Sequence, residues 1–430
     1  MPKNNHLDVQ RPSEFFIHSF CEDCACGTIK AMARPFGVIG IDLGTDTIKA
    51  VLLGVFPGED VPRVLGVAAA TSQGMRRGNV LEPSVTAQSL MQALDLLAKS
   101  TELKTRRHYV GIGGVGLGCQ KAHGLVAISR ADGEVSPEDA KRAIAASEAS
   151  LQRTQNRDIL HRIPLIYRID NDTTAHDPIG LSGIKLEAET LFITAFSQNT
   201  KAVLKLIDEA RCDAEELIAN PYALSYSVLS KREKEAGVMA LDIGASTTSL
   251  IIFEEGLPYS LEIIPLGSGH ITNDIATGFQ IGIDEAEKLK INYGAIGNIT
   301  SSNKKDDLVY GNYSKRKLSD IIEARLSDIF ELVEKHLKKV GRAGLLPSGI
   351  VLTGGGANLP GIIDFVKNYL MLPTRITSVE NIGGFKDKVN NPTWSAAVGI
   401  AMIGLSRKGN STIFRGAPNK LLKWFRAFLP

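Results

Sequence analysis

Apolar residues recur at strand spacing in two stretches that overlay without a gap at an offset of 200 positions: GVIGIDLGTDTIKAVLLG at 37–54 and GVMALDIGASTTSLIIFEEG at 237–256. In each, a run of β-formers ends in Asp-x-Gly-x-x-Thr and then resumes. This predicts a strand, a tight turn and a returning strand, and the repetition predicts two homologous half-molecules. Gly37/Gly237, Val38/Val238, Asp42/Asp242, Gly44/Gly244 and Thr47/Thr247 are identical between the copies. A third pattern, IVLTGGGANLPG at 350–361, runs an apolar strand into three glycines and then a helical period, IIDFVKNYL. Residues 318–341 carry a long amphipathic helical stripe through Ile321, Ile322, Leu326, Ile329, Phe330, Val333 and Leu337. Residues 1–34 are polar and aperiodic, which predicts a poorly ordered extension.

The end of the chain has its own pattern. After WSAAVGIAMIGL (394–405), SRKGNSTIFRGAPN reads as a tether and Lys420–Leu429 as a short helix. Leu421, Leu422, Trp424, Phe425, Phe428 and Leu429 share an arc of about 160°, with Lys420, Lys423 and Arg426 opposite. Ten residues are too few to span a bilayer, but such a face suits insertion at the headgroup boundary of anionic lipid.

Composition narrows the class. At 430 residues the length points to about three domains or one large domain with insertions. Hydrophobic residues at 43% and charged residues at 22% describe a globular chain with ample core. A net charge of +2 gives no reason to expect nucleic-acid binding, but residues 407–430 hold six Lys and Arg and no acid, leaving −4 for the remainder. Five cysteines are too few for a disulfide scaffold at this length and fit a reducing compartment. The Cys21/Cys24/Cys26 cluster lacks a second ligand pair at zinc spacing. The N-terminus lacks a signal-like apolar core, and no stretch is long enough to cross a membrane. GIGGVG at 111–116 formally matches a dinucleotide fingerprint, with Asp132 about 20 residues on, but no helix follows to hold a pyrophosphate; its glycines read as a strand end within an insert.

Chemistry follows from the hairpins. Glycine lets a turn approach a ligand closely, successive N–H groups there make an anion nest, and an Asp at the strand end can hold a cation or its water. In this order, the two hairpins and the strand–GGG–helix resemble the phosphate and adenosine motifs of the superfamily of actin, sugar kinases and heat-shock chaperone ATPases. That resemblance implies an α/β, ribonuclease H-like two-lobe fold with Mg-ATP in the cleft. Asp42, Gly44, Thr45, Asp46 and Lys49 then belong to the first phosphate loop, and Asp242, Gly244, Ala245, Ser246 and Thr247 to the second. Gly354, Gly355, Gly356 and Asn358 face the nucleoside, and Asp42 and Asp242 hold Mg2+ through water.

Within that superfamily the chain from about residue 36 onward is similar to the FtsA family of bacterial division proteins. The similarity is carried by RRGNV (76–80), ILHRIPLIYRID (159–170), DPIGLSGIKLEAE (177–189), PLGSGHITNDIATG (265–278), DEAEKLKINYG (284–294) and the terminal helix. It implies subdomain 1A at 35–83, an inserted, SHS2-like 1C at 84–178 and a return to 1A at 179–222. Subdomain 2A follows at 223–267, 2B at 268–345, 2A again at 346–384 and 1A at 385–405. A flexible linker at 406–418 leads to a membrane-targeting helix at 419–430. It further implies that Glu287 and Lys288 meet adenine and ribose, and that Asn220 stands where actins place a Gln or Glu that orients the attacking water. An amide cannot accept a proton as a carboxylate does, so ATP binding with weak turnover is expected.

The implied role is an anchor. Such a protein tethers filaments of the tubulin-like FtsZ to the cytoplasmic face of the inner membrane at the septum, self-associates into actin-like filaments and recruits later division proteins through 1C. Arg325 is a candidate contact for the FtsZ tail. A sugar or small-acid kinase of the same superfamily, or a PilM-type pilus-assembly ATPase, are the alternatives; the first lacks an obvious general-base Asp in 84–178, and the second lacks a membrane helix.

Overall fold

The computed structural model describes residues 35–409 apart from 102–104, 106, 153–154, 298–307, 311, 378 and 380–381. The readings of residues 1–34 and of the terminal helix, Lys420, Leu421, Leu422, Lys423, Trp424, Phe425, Arg426, Phe428 and Leu429, lie outside the described residues.

The β-branched runs become strands because both of their faces are buried. The first lobe opens with β1 (Phe36–Leu43), β2 (Thr47–Val55) and β3 (Arg63–Thr71), then a short hairpin of β4 (Met75–Arg76) and β5 (Asn79–Val80), α1 (Pro83–Ser100) and β6 (His108–Ile112). An insert follows: β7 (Gly118–Ala127), α2 (Pro137–Ala149), β8 (Arg157–Ile169), β9 (Thr173–Ala175) and β10 (Lys185–Phe196). The chain returns through α3 (Ser197–Glu209), β11 (Ala214–Ala219) and α4 (Asn220–Val228). The second lobe holds α5 (Lys231–Ala236), β12 (Val238–Ile243), β13 (Thr248–Glu254), β14 (Leu257–Ile264), α6 (Ser268–Phe279), α7 (Ile283–Tyr293), β15 (Leu308–Val309), β16 (Tyr313–Ser314), α8 (Lys315–Lys339), β17 (Ile350–Thr353), α9 (Ile362–Leu370) and β18 (Thr374–Ile376). Finally β19 (Gly383–Gly384) and α10 (Ser395–Gly409) rejoin the first lobe.

The internal repeat is a topological one. The first sheet runs β11-β6-β1-β2-β3-β19 and the second β18-β17-β12-β13-β14. In both, the Asp-bearing strand pairs antiparallel with its hairpin partner and parallel with a strand from beyond it, β6 or β17. The register sets Asp42 opposite Lys49 and Asp242 opposite Ser249. In the second sheet, Met239, Leu241, Ile243, Leu250 and Ile252 point to helices α6–α9, while Val238, Ala240 and Ile251 share a core with the first lobe. Fully buried Leu326, Ile329, Phe330 and Val333 turn the long stripe of α8 into core.

Four boundaries differ from the sequence expectation, each because a distant partner rather than local pattern decides membership. The insert is the sheet β7-β10-β8-β9, at 118–196 rather than 84–178: α1 packs on β2 and β3, β6 pairs between β1 and β11, and β10 pairs with β7 and β8. The boundary at 223 falls inside α4, which packs against α10. The return to the first sheet begins by Gly383, in β19 paired to β3, rather than at 385. Residues 406–409, read as tether, complete α10, and Arg407 bonds Glu216 of β11 at 2.9 and 3.2 Å. One of the six cations assigned to the tail therefore belongs to the body.

Candidate functional site

The two Asp-x-Gly hairpins meet across a cleft of about 580 Å³. Asp42, Gly44, Thr45, Asp46 and Lys49 line it from the first lobe, and Asp242, Gly244, Ala245, Ser246 and Thr247 from the second. Gly354, Gly355, Gly356, Asn358, Glu287 and Asn220 also line it.

Hydrogen bonds lock each turn, through the backbone in the second hairpin and through side chains in the first. Gly244 N donates to Thr247 O at 2.9 Å, and the first amides of α6, Ser268 N and Gly269 N, donate to Gly244 O and Ala245 O at 2.8 and 2.7 Å. The start of α6 is thereby latched onto the second hairpin. In the first hairpin, Thr47 Oγ1 donates to Asp46 Oδ2 at 2.7 Å, and Gly78 N of the β4–β5 turn donates to Thr45 Oγ1 at 2.9 Å. At the triple glycine, Gly354 sits at φ +82°, where an added Cβ would fall 2.1 Å from Asp242 Oδ1. The glycine is what allows β17 to run directly beside the second aspartate.

Electrostatically the cleft is short of positive charge. Burial raises the Asp42 carboxyl above the usual range, against the pull of Lys49 and a hydrogen bond from Asn220. Asp242 is pushed up to about 7, by burial first and by the Asp42 charge second, with Lys49 partly offsetting both. Two carboxylates, Asp42 buried and Asp242 half-buried, facing Lys49 are a donor set into which a divalent cation fits, because the cation would relieve both desolvation and mutual repulsion.

Asn220 opens α4 and donates from Nδ2 to Asp42 Oδ1 at 2.9 Å, while its Oδ1 is buried with no hydrogen-bond partner. His161, from β8 of the insert, accepts the amide of the preceding residue, Ala219, at 3.0 Å. Burial, aided by the Arg407 charge, lowers its pKa to about 3, so it acts as a neutral acceptor.

Two candidate residues are placed otherwise than expected. Lys288 is exposed and does not line the cleft; Lys290 does. Consecutive helical residues point about 100° apart, whereas Glu287 and Lys290, three apart, share a face. Lys290 is buried and donates to Glu287 Oε2 at 2.7 Å, Thr272 Oγ1 at 2.7 Å and Ser268 O at 3.3 Å, joining α7 to the start of α6. Arg325 is not a free cation: Asp274 on α6 accepts from its Nε and Nη2 at 2.6 and 3.0 Å, and Asp328 from its Nη1 at 3.0 Å.

Sequence reasoning missed Lys290, Gly78, Gly113 and Gly114, which all line the cleft. The last two belong to the GIGGVG stretch, whose strand end is that of β6 in the main sheet, not of the insert. Their signal was glycine density after a strand, the same signal that marked 354–356.

Comparison with known proteins adds to this geometry. Residues 239–399 match the family described as cell division protein FtsA, and residues 114–194 match the SHS2 domain inserted in FtsA. A cell division protein FtsA from Pseudomonas aeruginosa is 31% identical over 380 residues, covering 87% of this chain and 90% of that protein. One from Escherichia coli K12 is 29% identical over 390 residues, covering 87% and 92%. Among solved structures, the PilM–PilN type IV pilus biogenesis complex superposes with a TM-score of 0.64 at 18% identity, over 85% of this chain and 98% of that one. MreB5 of Spiroplasma citri bound to ADP gives 0.50 at 15%, over 90% and 100%. These likenesses show an actin-like ATPase fold.

Proposed function

The chain belongs to the FtsA family of cell division proteins, and from that premise we propose that it is an ATP-binding membrane anchor for FtsZ filaments. The observation that carries the nucleotide half of this reading is the convergence of both Asp-x-Gly turns and Gly354 on one cleft. The turns at 44–47 and 244–247 would cradle the phosphates, Glu287 and Asn358 would border the nucleoside, and Asp42 and Asp242 would hold Mg2+ through water. The ion, when bound, supplies positive charge against phosphate and carboxylates.

This chain's own contribution to hydrolysis is small. Asn220 is oriented by Asp42 and can hydrogen-bond a water, but an amide cannot take its proton. ATP then acts mainly as a ligand that favours the closed arrangement of the lobes.

The anchoring half rests on sequence: an amphipathic basic end at 419–430 on a body of opposite charge. One such helix binds weakly, so self-association into actin-like filaments would present many at once. Recruitment of later division proteins is assigned to the insert, and the FtsZ tail to the region of α8, where it would have to compete with Asp274 for Arg325. The test is co-sedimentation with anionic vesicles and ATP. The full chain is expected to pellet and recruit an FtsZ tail peptide, and a chain ending at Gly416 to lose lipid binding while retaining the peptide. If both forms stay in the supernatant and ignore the peptide, the anchor reading fails.

A further inference from the structure

Beyond the phosphate end of the cleft lies a second cavity, of about 640 Å³, walled by the β4–β5 hairpin on one side and by the starts of α6 and α7 on the other. It is continuous with the cleft, since Asp46, Ala245, Ser246 and Gly269 line both. Arg76 and Arg77 line it, both exposed, and neither makes an ion pair among the described residues. Of the acids around them, Glu287 holds Lys290, while Asp46, which accepts the Thr47 hydroxyl, and Asp284 are the carboxylates that share the cavity with the arginines.

The hairpin tip is a fixed platform. Gly78 N is bonded to Thr45 Oγ1, Val115 N to Arg77 O at 3.3 Å, and Asn199 Nδ2 donates to Asn79 Oδ1 at 2.7 Å. Arg77 and Gly78 form a two-residue turn with φ of +50° and +73°. Those angles favour Asn, Asp or Gly at both positions, so an arginine is held there against its backbone preference. Arg77 shares the wall of this cavity with Asp46 of the first phosphate loop and with Ala245 and Ser246 of the second.

We propose that Arg77, seconded by Arg76, binds the terminal phosphate of a nucleoside triphosphate seated in the cleft and so sets the preference for triphosphate over diphosphate. The inference rests on the nucleotide reading above. A guanidinium delivers paired, charge-assisted hydrogen bonds to a phosphoryl group, and the terminal phosphate is the group that distinguishes a triphosphate from a diphosphate.

The test uses the full chain and equilibrium titration with ATP and with ADP, each with Mg2+. Arg77→Asn removes the cation while suiting the turn, so thermal stability should hold or rise. ATP affinity is expected to fall about 10-fold and ADP affinity less than about 2-fold, with Arg77→Lys restoring part of the loss. Arg76→Gln should show a smaller change of the same kind. Equal weakening of both nucleotides, or no change in either, overturns the proposal. So does an Asp284→Asn protein that reproduces the Arg77→Asn profile, which would mark an ion pair between lobes instead. A wild-type chain that binds neither nucleotide overturns the proposal together with the reading it rests on; a wild type that binds both equally overturns the proposal alone.

Discussion

A Gly354→Val protein is expected to bind ATP at least about 100-fold more weakly than the wild type, equivalent to about 2.7 kcal/mol. The reason is local and geometric. At φ +82° a side chain is strained, and its Cβ would lie 2.1 Å from Asp242 Oδ1 and 2.6 Å from Ile243 O. The carboxylate at the centre of the proposed metal site would be displaced, and overpacking with backbone strain should cost about 2–4 kcal/mol of stability. The other two glycines behave differently. Gly356 abuts Ile243, with Cβ–Cγ2 at 2.4 Å, whereas a Cβ at Gly355 would meet only Thr393 Cγ2 at 3.9 Å. Gly282, with nothing within 4 Å, supplies a control whose alanine variant should match the wild type in titration and lose only the stability of an N-cap glycine, about 0.5–1 kcal/mol. Near-normal ATP binding by Gly354→Val would show that β17 need not run against Asp242 for the cleft to work.

Acid should destabilise this protein through His161. The ring is 5% exposed and accepts the Ala219 amide; its pKa is about 3 in the folded state against 6.5 ordinarily. Between those values the unfolded chain binds a proton that the native chain does not. The stability His161 confers is thus fully present above pH 6.5, erodes as pH falls, and is lost by about pH 3. The total is roughly 3–5 kcal/mol, at about 1.4 kcal/mol per pH unit. Urea unfolding of wild type and His161→Gln from pH 7.5 down to 4 measures it. Gln retains an acceptor without titrating, so its stability curve should be flatter by about one proton. Parallel curves would mean that His161 does not carry the acid response. Because Ala219 precedes Asn220, the same protonation would loosen the residue that bonds Asp42.

What could be read from the sequence was what is closed locally. Asp42 pairs with Lys49 and Asp242 with Ser249 inside single hairpins, so turn and alternation alone located both aspartates. The strand–GGG–helix was legible for the same reason. What escaped depends on partners far away in the chain. Nothing near His108–Ile112 reveals that it pairs between β1 and β11, so Gly113 and Gly114 were assigned to the insert rather than to the cleft. Arg407 looked like tail until Glu216 appeared opposite it. Lys290 was within reach of helical spacing, and choosing Lys288, two residues earlier, was an error of face, not of element.

On the reading proposed above, the cleft between the two hairpins is a nucleotide site that uses a divalent cation. Calorimetric titration of the full chain with ATP, in Mg2+ and then in EDTA, tests it most directly. Saturable one-to-one binding that weakens when the cation is removed is the predicted result. Absence of saturable binding at millimolar ATP in Mg2+ would show that the cleft is not a nucleotide site.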